Sequence, residues 1–309
     1  GGGDKSIDRT EPPVGGMIVK EIWDKFHDDW IVELLLPDLV KWNDWFVRER
    51  TLGDLGLTSL GSDFFVGHVD ASSNAMQGTR FESGYVFLFE LEFHTHHISV
   101  HTHTNHRLDN SPMYDGEFFQ KNCTTDGPNM VGQMKLYDVG MSSMFAADAR
   151  ALSYLARNVL KDDTLAEKLD KRASEQSELI REHLWHEDDG VFTNLFWNGS
   201  FYPRRSPTSF YALMARASSD ENAERMIQDW LLSPKHFCIA PDGDFANNTD
   251  DCYWGLPSIE ASDPAFPPLG YWRGYVWGPM AQLVYFSLRE YDHLEIVRKG
   301  RKALCSQMK

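Results

Sequence analysis

The amino-acid sequence predicts an all-α fold built from helical hairpins arranged around a centre. Apolar residues recur at helical spacing through most of the chain. The predicted helices come mostly in consecutive pairs, with functional-looking residues in the loops between them. No alternation of strands and helices and no glycine-rich nucleotide signature is present. An α/α barrel or toroid is therefore expected, with an irregular helical bundle as the alternative.

Eight helices are predicted, and their ends follow from proline, capping and periodicity signals. Pro12 and Pro13 precede the first, Pro37 is expected at a helix start or kink in the second, and Asp220 is the expected N-cap of the sixth. Between them lie Gly-rich residues 51–79, a turn or short hairpin at 187–194, and a long loop over 233–270. The predicted helices cover 14–26, 31–50, 138–160, 163–185, 207–217, 220–232, 273–291 and 293–308.

The composition limits the classes of molecule that the chain is expected to bind. The chain has 309 residues, 42% of them hydrophobic, and a formal net charge of -16. Such acidity argues against nucleic acid or an anionic membrane as the main partner. The sequence has no run of 18 apolar residues and no signal peptide at its start, so no membrane segment is expected. Four widely spaced cysteines fit buried thiols with one or two bridges rather than a zinc site.

An aromatic cluster, YWRGYVWGPM, occupies residues 271–280. Trp and Tyr rings can stack on the apolar face of a sugar ring, and Arg can donate a fork of hydrogen bonds to hydroxyls. The rigid stretch 262–270 precedes the cluster and could hold it in place. A sugar pocket and a buried aromatic staple are both compatible with this pattern.

Two motifs, MQGTRFESG (76–84) and LDNSPMYDG (108–116), flank residues 85–107. Joined directly, they resemble glycoside hydrolase family 63, whose members carry an E-S-G-x-D-N-S-P signature. These members include processing α-glucosidase I and the mannosylglycerate hydrolases. The resemblance continues in EPPVGGMIVKEIW (11–23), LVKWNDWF (39–46), KLYDVGMSSMF (135–145) and LPSIEASDPAFPPLGYWRGYVWGPM (256–280).

The resemblance implies an (α/α)6 barrel, incomplete at the C-terminus and also at the N-terminus, as one partial catalytic domain over 1–309. It also implies inverting hydrolysis of an α-glycosidic bond, which uses two carboxyl groups roughly 6.5–9.5 Å apart. By similarity, Asp109 is the general acid. The residues implied to line the sugar pocket are Tyr271, Trp272, Arg273 and Trp277, with Gln77 and Glu82 as weaker candidates for contacts with hydroxyl groups.

The family's general base is a Glu in a short Glu-Asn-aromatic motif beyond the aromatic cluster. Downstream of Met280 the sequence holds only Glu290 and Glu295, which lack that motif and are expected to be exposed helix charges. The 309-residue chain is therefore expected to have almost no hydrolytic activity. A catalytically inactive carbohydrate-binding fragment is the alternative function.

Residues 85–107 contain six of the twelve histidines of the chain and interrupt the signature. The His-Thr repeat is what a repeated CA dinucleotide encodes, so a retained intron or gene-model artefact is the preferred hypothesis. An inert low-complexity loop and a metal site remain open. No metal or other cofactor is expected for the hydrolysis itself.

The expected ligand is an oligosaccharide or a small α-glycoside. A processing glucosidase would trim glucose from an N-glycan in the endoplasmic reticulum, whereas relatives act on mannosylglycerate or other small α-glycosides in the cytosol. Three sequons, at Asn122, Asn198 and Asn247, are compatible with a secretory route but also arise by chance. The compartment therefore stays open between the two.

Overall fold

The computed structural model describes residues 10–51, 53, 55–62, 111–114, 123–124, 132–238, 255–266, 270 and 272–307. The interrupting segment 85–107 lies outside these residues. Seven α-helices occur within the described ranges: α1 (Gly15–Phe26), α2 (Asp29–Glu49), α3 (Val139–Leu155), α4 (Asp163–His183), α5 (Asp220–Met226), α6 (Gly278–Arg289) and α7 (Glu295–Gln307). The prediction of a mostly helical chain is confirmed.

Shorter helical turns extend or replace several predicted helices. One π-helical turn, Ala156–Leu160, continues α3, and another, Ile227–Leu231, continues α5. The helix predicted over 207–217 is a 3-10 helix, Pro207–Leu213. The Ser206 side chain caps its first turn, and Arg216 turns the chain away with a φ of 56°.

The strands are short and serve as connections between helices. Strands β1 (Gly61–Ser62), β2 (Cys123–Thr124) and β3 (Gly132–Met134) form an antiparallel sheet in the order β1-β3-β2. Strand β4 (Leu136–Tyr137) pairs with β7 (Leu195–Phe196), and β5 (Trp185–His186) pairs with β6 (Val191–Phe192). The β5–β6 hairpin confirms the turn predicted at 187–194.

Helix α3 lies at the centre of the described structure. It packs against α1, α2, α4 and the 3-10 helix, and α6 packs on the 3-10 helix and on α7. Almost every side chain of α3 is buried, which explains why its sequence is rich in Ala, Ser and Met. A smaller apolar cluster forms where α1, α2, α3 and α4 meet, and it includes Val32, Leu152 and Leu169. Consecutive helices such as α1 and α2, and α3 and α4, thus pack as hairpins against a main core and this smaller cluster.

Pro37 lies inside α2, so of its two predicted positions the helix start was wrong and the kink stays a prediction. Two predicted helix starts were also wrong. Ser219, not Asp220, is the N-cap of α5, since its side chain accepts a hydrogen bond from the Asn222 N–H. Helix α6 begins at Gly278, five residues after the predicted start at Arg273, because the backbone before it is extended and bridges Val276 to the 255–258 segment.

A buried carboxylate, Asp148, ties α3 to the first helical hairpin. One of its oxygens accepts the Gly16 N–H at 2.6 Å, and the other accepts the Asn43 side-chain amide at 2.8 Å. Arg172 of α4 donates in turn to Asn43 Oδ1 at 2.5 Å. Burial raises the pKa of Asp148 from 3.8 to about 6, although these hydrogen bonds and the Arg172 charge act in the opposite direction.

Cys238 is disulfide-bonded, whereas Cys305 is a free thiol.

Across the described ranges, no helix is both long and apolar enough to cross a lipid bilayer.

Candidate active site

The described part of the D-N-S-P signature is a buried turn. Residues Pro112–Tyr114 form a single 3-10 turn, closed by a hydrogen bond from the Tyr114 N–H to the Ser111 carbonyl at 3.0 Å. The hydroxyl of Tyr202 donates to the Pro112 carbonyl at 2.8 Å. The predicted acid, Asp109, lies outside the described residues, two positions before Ser111.

This turn is joined to the start of α3 by a second buried carboxylate, Asp138. Its side chain accepts the Met141 N–H at 2.8 Å and so caps α3. The same carboxylate accepts the Tyr114 hydroxyl at 3.0 Å and the Asn194 amide at 3.1 Å. Burial raises the pKa of Asp138, and the hydrogen bonds act against that rise. Asp138 therefore links three separate segments around one buried group.

Asn194, in the short connection between β6 and β7, completes this link. Its side-chain oxygen accepts the Val139 N–H at 2.8 Å while its amide donates to Asp138. Two N–H groups in the first turn of α3 therefore have side-chain acceptors: Val139 donates to Asn194, and Met141 donates to Asp138. Together these bonds anchor the turn that ends at Tyr114 to the start of α3.

The aromatic cluster places two tryptophans face to face. The rings of Trp272 and Trp277 stack with centroids 4.2 Å apart and planes 15° from parallel. Trp272 is only 2% exposed, whereas Trp277 is partly exposed. Tyr275, between them in the sequence, is 51% exposed. The pair has the geometry of a supported aromatic surface, in which Trp272 backs the more accessible ring of Trp277.

Backbone pairing holds the cluster in an extended form before α6. Val276 bridges Pro257, and the Ser258 N–H donates to the Tyr275 carbonyl at 3.1 Å. Gly274 has a φ of 113°, a left-handed conformation that favours glycine, and its N–H donates to the Ser258 hydroxyl at 3.1 Å. A bridge from Arg273 to Gly270 closes a tight turn, and the Arg273 side chain is partly exposed.

Acidic residues of the preceding motif are paired within the fold. Glu260, 8% exposed, contacts His236 Nδ1 at 2.6 Å and accepts the Ser262 hydroxyl at 2.8 Å. Asp263 accepts a hydrogen bond from Arg204 at 3.0 Å. These contacts anchor the described part of the loop beside the tryptophans.

Neither glutamate downstream of the cluster has the environment of a general base. Glu290 accepts a hydrogen bond from Arg216 Nε at 2.7 Å and is only partly exposed, so the expectation of an exposed helix charge was wrong for it. Glu295 is exposed in the first turn of α7, as expected. Glu290 also follows α6, at the end away from Trp277.

The structure describes three of the predicted site residues: Trp272, Arg273 and Trp277. Asp109, Tyr271, Gln77 and Glu82 lie outside the described residues, so their roles stay predictions. Sequence reasoning missed Asp138, Asn194 and Tyr202. Only Asp138 carried a local signal, because an Asp directly before an apolar helix is a typical N-cap. No group of three metal-ligating side chains occurs in the described part of the chain, and the six histidines of 85–107 fall outside it.

The helical fold, the anchored signature turn and the tryptophan pair agree with the family that the sequence motifs predicted. The chain belongs to the mannosylglycerate hydrolase MGH1-like glycoside hydrolase domain family, whose sequence model matches residues 1–309. The family predicted from the motifs is confirmed.

Similar proteins agree with this assignment. Mannosylglycerate hydrolases MGH1 and MGH2 of Selaginella moellendorffii are each 21% identical to this chain, over 94% of it and 57% of their own length. The chain thus spans a little over half the length of the curated relatives it matches. The GH63 mannosylglycerate hydrolase of Thermus thermophilus in complex with glucose has a similar fold, with a TM-score of 0.62, 17% identity, and coverage of 97% of this chain and 67% of that one.

Proposed function

We propose that this protein binds a small α-glycoside of the mannosylglycerate type and that its family chemistry is inverting hydrolysis of the glycosidic bond. The observation that carries the proposal is the stacked tryptophan pair beside the family motif. Mannosylglycerate is favoured over an N-glycan because the curated relatives are named mannosylglycerate hydrolases. A terminal glucose on a larger oligosaccharide is the second candidate.

The proposed architecture is a partial (α/α)6 barrel over residues 1–309, interrupted by 85–107. The helical hairpins around α3 and the likeness to the Thermus enzyme support it. Within it, Trp277 would stack on the sugar, backed by Trp272, while Arg273 and Tyr271 would contact hydroxyl groups. Gln77 and Glu82 are proposed as further polar contacts.

Asp109 is proposed as the general acid. A general acid must stay protonated until it donates to the leaving oxygen, and this requires a fixed position near the bond. The anchoring of Ser111–Tyr114 to Asp138 and Tyr202 supports such a fixed position. Neither Glu290 nor Glu295 is assigned as the base, because Glu290 is paired with Arg216 and Glu295 is exposed.

Sugar binding is tested by calorimetric titration with mannosylglycerate. We expect saturable binding that weakens about tenfold in Trp277→Ala, because a central aromatic contact is worth on the order of 1.4 kcal/mol. Trp277→Phe, which keeps a ring on Trp272, should retain most of the affinity. Trp30→Ala, which removes a 61% exposed tryptophan on α2, is the matched control and should bind like the parent. Equal affinity in all four proteins would contradict the proposal.

Hydrolysis is followed in the same samples by proton NMR of the anomeric signals. With no base assigned, we expect mannose to be released at or near the uncatalysed rate. That result would favour a carbohydrate-binding role for this chain. Turnover that Asp109→Asn abolishes would instead show that the chain holds a working acid and base. In that case inversion requires the β-anomer of mannose to appear first, and an initial α-anomer would exclude the inverting mechanism.

A further inference from the structure

A cavity of about 270 Å³ opens between α1, α3, α4, α6 and the end of the 3-10 helix. It lies away from the proposed sugar site. Along α3, Arg150 in its wall comes 12 residues after Asp138, which is about 18 Å at the rise of an α-helix. Along α6, Arg289 in its wall lies about the same distance beyond Trp277. The cavity is therefore distinct from the proposed glycoside site.

The wall of this cavity is rich in cations although the whole chain carries a net charge of -16. Five basic side chains line it, and four of them have a carboxylate partner. These four ion pairs are Lys20–Asp24 at 2.5 Å, Arg157–Asp170 at 2.7 Å, Arg216–Glu290 at 2.7 Å and Arg289–Glu21 at 2.5 Å. The fifth cation is Arg150.

Arg150 has only neutral partners. Its guanidinium donates to the carbonyls of Met214 at 3.1 Å and Ala215 at 2.9 Å, and to the Ser177 hydroxyl at 3.1 Å. Within the described ranges, no carboxylate comes within ion-pair distance of it. These three bonds leave two of its five N–H groups for another acceptor.

A partly buried cation without a counter-ion is costly, and a second cation nearby adds to the cost. Burial lowers the pKa of Arg150, and the charge of Arg216 lowers it further. Glu290 and Asp170 act on Arg150 at longer range and are each bonded to a different arginine. An anion in the cavity would offset this unbalanced charge.

We propose that the cavity binds a small phosphate monoester through Arg150. A phosphate group offers several strong acceptor oxygens to the free N–H groups of Arg150 and to the neighbouring guanidinium of Arg216. The side chains of Tyr154 and Phe286, also in the wall, supply an apolar surface for the body of the ligand. This proposal does not depend on the proposed glycosidase activity, because it concerns different residues.

Calorimetric titration with inorganic phosphate, glucose 6-phosphate and glucose, at constant ionic strength in chloride, tests the site. We expect saturable 1:1 binding of both phosphates and no binding of glucose at this site. Arg150→Met should weaken phosphate binding at least about tenfold, since it removes a charge-assisted hydrogen-bond donor. Arg48→Met is the matched control, because Arg48 is an exposed arginine of α2 outside the cavity. It should bind phosphate like the parent.

A second variant covers the case in which Arg150→Met fails to fold. Tyr154 is exposed at the wall of the cavity, and Tyr154→Glu adds a carboxylate there while leaving the bonds of Arg150 intact. It should weaken phosphate binding to a similar degree by charge repulsion. Absence of saturable phosphate binding in the parent, or equal binding by the parent, Tyr154→Glu and Arg48→Met, would overturn the proposal. Glycerate is titrated in the same way, and a glycerate affinity that exceeds that of either phosphate and is lost in Tyr154→Glu would also overturn the proposal, in favour of a carboxylate site.

Discussion

Replacing Asp138 with alanine is expected to lower the free energy of unfolding by about 3 kcal/mol. The substitution removes the cap of α3, which is worth about 1 kcal/mol. It also leaves the Tyr114 hydroxyl and the Asn194 amide without their buried acceptor, which costs about 1–3 kcal/mol for each group. The relief of a buried charge, reflected in the raised pKa of Asp138, offsets part of this loss.

Urea unfolding followed by tryptophan fluorescence measures this change. Ser219→Ala is the matched control, because Ser219 caps α5 through one hydrogen bond at an exposed position. That control should lose only about 1 kcal/mol. Equal losses in the two variants would mean that Asp138 acts as a simple cap and does not anchor the signature turn.

The second large expected effect is a dependence of the stability of the fold on pH, which comes from Asp148. Its pKa is about 6 in the folded chain and 3.8 as the ordinary value, so the folded state binds a proton more tightly. The contribution of Asp148 to stability therefore grows as the pH falls from above 6 towards 4, and is lost as the pH rises. From pH 8 to pH 5 the expected gain is about 1.4 kcal/mol, and over the whole window about 3 kcal/mol.

Exchange of two side chains isolates this contribution. In the double variant Asn43→Asp with Asp148→Asn, the carboxylate moves next to Arg172, and an amide takes its place against Gly16. An ion pair with Arg172 lowers the pKa of the transferred carboxyl, so the stability gain at low pH should vanish or reverse. The single variant Asp148→Asn should be less stable than the exchange, because two amide NH2 groups would then face each other.

Chemical denaturation at a series of pH values gives the free energy of unfolding of the parent, the exchange variant and the single variant. The gain at low pH is assigned to Asp148 by subtracting the exchange variant from the parent at each pH. A difference that does not vary between about pH 8 and pH 5 would show that Asp148 keeps an ordinary pKa in the fold.

Periodicity and capping signals predicted the helices wherever a helix buries one face along its whole length. Helices α2 and α4 lie close to their predicted ranges for this reason. The start of α6 was placed five residues early, because the backbone of 273–277 pairs with a segment about 20 residues earlier in the chain, and periodicity carries no information about that pairing. The 3-10 helix Pro207–Leu213 likewise packs between α3 and α6, contacts that periodicity does not reveal.

The sequence likewise predicted only the part of the site that local motifs specify. The motifs identified the family and the tryptophans, because the family resemblance attaches directly to those residues. The resemblance did not reveal that Asp138 joins Tyr114 to Asn194, since Asp138 is 24 positions from the first and 56 from the second. Their contact arises only when a turn, a helix start and a hairpin meet. The pairing of Arg289 with Glu21, 268 residues apart, is equally invisible in the sequence.

The hydrogen bonds around Asp148 can form only after the first helical hairpin, α3 and α4 have all been synthesised. Gly16 and Asp148 are 132 residues apart, and Asn43 and Arg172 are 129 apart. At typical elongation rates the first helical hairpin emerges on the order of ten seconds before its partners. Trp30 and Leu34, more than 60% exposed even in the folded chain, are then fully open to solvent. The nascent α1–α2 hairpin therefore cannot pack against α3 until the residues between Gly16 and Asp148, 132 positions apart, have been synthesised.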